Sequence, residues 1–232
     1  MKSEKGFTLI ELLVAIAIAM VVLAGIYKVY MSQQQSYIIQ EQMAAMQQNL
    51  RAAMFFMARE IRMAGCDPTG TAGSSAGIQT ANATTISFTE DIRGKNSTDP
   101  PDGDVGDPNE NITYSLFDYG GDGDNDLGRN TGGGNMLLAE NIDAIDFVYL
   151  DGNQPPNVLN PNRTNVPGAS IGNIRAVQIT IVARSDQPIR GYTDTNNYQN
   201  QQGVTILAAP NDSFRRSIMT TTVKCRNLGL GS

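Results

Sequence analysis

Lys5-Gly6-Phe7-Thr8-Leu9-Ile10-Glu11-Leu12 opens an apolar run that continues to Ile26, with Glu11 as its one charge. A carboxylate inside a stretch suited to hydrocarbon is expensive and calls for a dedicated partner. A secretory signal peptide carries its charges before the apolar region and a small-residue cleavage site after it. Here the Lys5-Gly6 boundary comes first, and no Ala-x-Ala site stands at the far end. Cleavage after Gly6 would therefore keep the apolar segment, with Phe7 as the new first residue.

Outward from this stretch the chain reads as one helix. From Phe7 to about Ala64 there is no proline, and Gly25 is the one internal glycine and the weak point. At 1.5 Å per residue this makes a rod of about 85 Å. The part up to Val29 is long enough to span a bilayer. Beyond it, Gln33, Gln34, Gln35, Gln40, Glu41, Gln47 and Gln48 are polar, while Met43, Met46, Leu50, Ala53, Met54, Met57 and Ile61 recur at steps of three and four. That spacing predicts a stripe for a globular domain to cover. Arg59 and Arg62 in the last turns and Gly65 beyond them predict the stop.

Residues 66–232 read as β-rich. Period-two alternation predicts strands over 84–89, 112–119, 145–149, 175–182, 204–207 and 218–225. Segments 93–110, 120–135, 151–173 and 185–202, rich in Gly, Pro, Asn and Asp, read as long loops. One long helix followed by antiparallel strands is an α+β arrangement.

The 232 residues allow an anchor helix and a single globular domain. The formal charge of −6 becomes one unit more negative if Lys2, Glu4 and Lys5 leave with a leader. An acidic chain argues against broad attraction to nucleic acid. Arg215, Arg216, Lys224 and Arg226 form a basic patch that reads as ordinary solvated charge. The absence of histidine removes the commonest general base, and there is no Gly-x-Ser-x-Gly elbow, so catalysis has little support.

Two cysteines, Cys66 and Cys225, would close nearly the whole globular domain in one loop if oxidised, adding roughly 4–5 kcal/mol in the chain-entropy model. Delivery of the domain out of the cytoplasm favours that bridge over two unrelated buried thiols. Asp122, Asp124 and Asp126 alternate in a glycine-rich loop, as oxygen ligands of calcium do. Leu127 and Gly133 stand where an EF-hand needs glycine and glutamate, so a solvated turn is the competing reading. A second acidic loop, with Asp102, Asp104, Asp107 and Glu110, reads as solvent-facing.

The Lys5–Leu12 segment resembles the type IV pilin and pseudopilin family. The Arg-rich Ala-Gly helix end, and more loosely Leu137–Gly152 and Ile174–Arg184, resemble PilW-type minor pilins and the J-type minor pseudopilins. The resemblance implies a pilin fold, with a long N-terminal helix against an antiparallel sheet. It implies a cleaved leader (1–6), a membrane and filament-core segment (7–29), an amphipathic helix half (30–65) and a globular pilin domain (66–232). It also implies that a prepilin peptidase cuts between Gly6 and Phe7 and methylates the Phe7 amine, and that Glu11 pairs with the Phe7 ammonium of a neighbouring subunit. The implied partners are other pilin or pseudopilin subunits, the peptidase, an inner-membrane assembly platform and membrane lipid. The globular domain would stand outside the cytoplasm. The expected function is a minor pilin that initiates or caps a type IV pilus. The alternatives are a minor pseudopilin of a type II secretion system and a calcium-dependent adhesive tip module.

Overall fold

The computed structural model describes residues 6–96 and 98–229, so the leader, apart from Gly6, lies outside the described residues. Helix α1 spans Leu9–Met63. The chain divides into two compact units, Met1–Met43 and Ala44–Ser232. In the first unit, residues 6–38 are exposed throughout. The helix contains an 18-residue window of mean hydropathy 2.8, none of it buried, and is long and apolar enough to cross a membrane.

The second unit begins inside α1, because the last turns of the helix are part of its core. Met46, Leu50, Ala53, Met54, Met57 and Ile61 are buried, as their spacing predicts. The helix stops where arginine and glycine mark it. Gly65 takes a φ of +77°, which favours glycine, and a Cβ there would lie 2.6 Å from Leu228 Cδ2, so that side chain would have to shift. The final carbonyls are satisfied from a distant part of the chain. Arg226 N–H donates to the Arg62 carbonyl at 3.3 Å, and Asn227 Nδ2 to that of Met63 at 3.0 Å.

Ten strands follow: β1 Gly77–Ala81, β2 Ile86–Thr89, β3 Asn111–Phe117, β4 Asp126–Asn130, β5 Asn135–Ala139, β6 Ile142–Leu150, β7 Ala176–Arg184, β8 Tyr198–Gln199, β9 Thr205–Leu207 and β10 Arg216–Lys224. Strands β1 to β5 form an antiparallel meander in sequence order, a second sheet has the order β10-β7-β6, and β8 and β9 form a small hairpin. A long helix on antiparallel sheets is the α+β arrangement the sequence predicts.

Six strands fall where alternation places them; β1, β4, β5 and β8 do not. Strand β4 lies inside the expected loop 120–135 because its sequence, Asp-Leu-Gly-Arg-Asn, has poor strand propensity. Packing decides instead. Leu127 is fully buried, and the Phe117 ring occupies the space a side chain at Gly128 would need, 2.7 Å from its Cβ position. Buried Phe88, Tyr114, Phe147 and Tyr149 are the largest members of the core, each worth on the order of 2–3 kcal/mol in removed apolar area.

Candidate assembly and processing site

Residues 6–8 precede the helix, and Phe7 is 91% exposed. Among the described residues, no atom lies within 4 Å of the place a Cβ on Gly6 would take. Gly6 and Phe7 thus lie outside regular structure and are exposed. Thr8 then caps α1. The Glu11 carboxylate accepts the Thr8 N–H at 2.9 Å and the Thr8 hydroxyl at 2.8 Å, both at Oε2, while the Glu11 N–H points at Thr8 Oγ1 at 3.4 Å. This is a capping box, Thr-x-x-Glu, whose signature is legible in the sequence at Thr8–Glu11 beside the charge of Glu11. Oε1 of Glu11 accepts nothing among the described residues, which leaves one face of the carboxylate for an external cation.

In the globular unit a second carboxylate fastens α1 to the meander. Glu60 accepts the Tyr114 hydroxyl and pairs with Arg129, whose Nη2 lies 3.0 Å from Oε1 and whose Nε lies 3.0 Å from Oε2. Burial beside this clamp pushes the Glu90 carboxyl up to about 7, and the Glu60 carboxylate adds to the shift. Among the described residues, Glu90 Oε2 is buried without a partner. Glu60, Tyr114 and Arg129 stand in no recognisable motif, because the two partners of Glu60 are 54 and 69 positions away.

Residues 1–27 match the prokaryotic N-terminal methylation motif, and residues 105–227 match the family model for type IV pilus-assembly protein W. The chain belongs to the type IV pilus-assembly protein W family. With the methylation motif ahead of that domain it is a type IV minor pilin, a structural subunit whose kind associates with other pilin subunits. Among solved structures, a type IV-like pilin from Thermus thermophilus is similar, at 18% identity and a TM-score of 0.42, covering 78% of this chain and 96% of that one. No curated protein matches.

The calcium loop expected in this minor pilin is not assembled. Asp126 is buried and takes the N–H groups of Tyr119 at 3.0 Å and Asn141 at 2.8 Å, one on each oxygen. Asp124 pairs with Arg184, and Asp122 accepts the Asp124 N–H at 3.3 Å. The three carboxylates serve a strand end and an ion pair rather than one centre. Among the described residues it is Asp102, Asp104 and Asp107 of the other acidic loop that come together, with one oxygen of each within 4.8 Å of the others.

The expected bridge is also not formed, since Cys66 and Cys225 are free thiols. Burial, with Glu90, Asp91 and Asp67 nearby, raises the Cys66 pKa, and burial pushes Cys225 up to about 12. Thiolate, the species that exchanges, is scarce at both. The basic patch is divided. The Arg216 side chain is 3% exposed and binds Asp143 at 2.5 Å, Asp212 at 2.7 Å and Asp194 at 3.3 Å, whereas Arg215, Lys224 and Arg226 are exposed.

Proposed function

We propose that this minor pilin primes or caps a type IV pilus after a peptidase removes residues 1–6 and methylates the Phe7 amine. The observation that carries this reading is the exposed apolar helix with a single acid at its head. In lipid, the freed Phe7 ammonium and the Glu11 carboxylate are each costly alone. When Glu11 of one subunit meets the Phe7 ammonium of another, each neutralises the other, and the helices exchange lipid contacts for one another. The globular unit then stands outside the cytoplasm, and the inner-membrane platform lifts the subunit into the fibre. Its loops around 93–110 and 151–173 favour an end position, because a shaft subunit must repeat the same lateral contacts many times.

Deletion of the chain tests this position. Filaments should become few, while those that form keep normal length and shaft composition. A normal number of filaments, or recovery of this subunit at the abundance of the main shaft protein, would refute it.

A further inference from the structure

The two outer edges of the three-stranded sheet, β6 and β10, are treated differently. The open side of β6 is filled by the chain itself: Phe147 N–H reaches the Ala83 carbonyl at 2.8 Å, Tyr149 N–H reaches Asn160 Oδ1 at 2.9 Å, and Leu159 N–H reaches the Tyr149 carbonyl at 2.8 Å. Val166 N–H covers β1 at the Ala81 carbonyl, at 3.0 Å. Strand β10 has no such cover. It pairs with β7 in unbroken register from Arg216↔Arg184 to Lys224↔Ala176. Among the described residues, no backbone group of residues 217–224 makes a hydrogen bond on the side away from β7.

Exposed edges are normally blunted by proline, a bulge, a short strand or a charge set in the middle. Strand β10 is nine residues long and has none of these; between Arg216 and Lys224 it reads Ser-Ile-Met-Thr-Thr-Thr-Val. Ile218, Thr220 and Thr222 are exposed. Its cations stand at the ends instead, with Arg215 at one and Lys224 and Arg226 at the other, all exposed in an otherwise acidic chain. Lys224 and Arg226 make no ion pair among the described residues.

We infer that β10 is a strand-addition site that accepts an extended segment of a different protein, uncharged in the middle and acidic at both ends. Main-chain hydrogen bonds to the open edge supply the attachment, and the end charges set register. The spacing between the cationic ends, about 30 Å for nine extended residues, sets the length of the segment. A second copy does not fit, because antiparallel pairing of β10 with itself brings Lys224 opposite the Arg215–Arg216 end, and like charges across strands are destabilising.

The test uses the full chain in detergent and two nine-residue alternating threonine–valine peptides, one with aspartate at both ends and one with lysine. The aspartate-ended peptide should slow hydrogen exchange at alternate amides of residues 217–224 and bind about tenfold more tightly than the lysine-ended one, a difference of about 1.4 kcal/mol. Replacing Arg215 and Lys224 by glutamate should reverse that order. If the double variant fails to fold, Lys224→Glu alone should narrow the preference. The proposal is overturned if neither peptide protects β10, if both protect it equally, or if the chain protects its own β10 edge with rising concentration and no peptide, which would assign the edge to a second copy.

Discussion

Thr8 and Glu11 hold each other at the first turn of α1, with the Glu11 carboxylate taking both the N–H and the hydroxyl of Thr8. The acid at the head of the apolar run thus has a local occupation besides the intersubunit pairing proposed for it. The two roles separate by substitution. Glu11→Gln keeps an oxygen for the cap but removes the charge, whereas Thr8→Val removes the cap and keeps the charge. Glu11→Gln should leave the subunit in the membrane and cleaved, yet missing from sheared filaments. Thr8→Val should enter filaments near the normal level, since a helix cap is worth about 1 kcal/mol. Equal loss of incorporation in both variants would assign Glu11 to the cap alone.

Glu60 is the shared anchor of Tyr114 and Arg129. Glu60→Ala leaves a half-buried guanidinium without its counter-ion and should cost about 3 kcal/mol, read as a lower melting temperature. Pairing that change with Arg129→Met should restore part of the loss, since no uncompensated charge then remains. A double variant no more stable than Glu60→Ala would show that the pair is not the source of the effect.

Glu90 makes stability depend on pH. Its folded pKa, about 7, lies above the ordinary 4.5, so the folded state holds a proton that the unfolded state releases between those values. This contribution is complete below about 4.5 and is lost as pH rises through about 7, amounting to up to about 3 kcal/mol. Thermal melts of the wild type and Glu90→Gln should nearly coincide at pH 4.5, and the variant should be the more stable at pH 8. A constant gap between the two curves would remove Glu90 as the cause.

Asp126 tests the structural role of the supposed calcium loop. Asp126→Asn keeps one acceptor for the N–H groups of Tyr119 and Asn141 and should lower stability by about 1–2 kcal/mol. The loss should be the same in a chelator and in millimolar calcium. A melting temperature that rises with calcium in the wild type but not in the variant would reinstate an ion at this loop.

The helix was legible because its signals are local. Glu11, the Met46–Ile61 spacing and the arginines before Gly65 each act within a few residues of where they stand. Strands β6, β7 and β10 were legible for the same reason, being long and rich in apolar or β-branched residues. Strand β4 was not, because Leu127 and Gly128 are specified by Phe117 and the core rather than by their neighbours in sequence. The Asp122–Asp126 spacing could not separate its two readings for a related reason. An alternating acidic loop looks alike whether its oxygens face an ion or, as here, an arginine and two backbone amides. Glu60 and Glu90 gave no sequence signal and Arg216 read as solvated charge, since their surroundings are brought together only by the folded sheets.

The most direct test of the central claim is the mass of the amino-terminal peptide of this subunit in sheared filaments. That peptide should begin at Phe7 and carry one methyl group on its amine. Filament-borne subunits that retain residues 1–6, or that begin at Phe7 in the membrane but never occur in filaments, would contradict it.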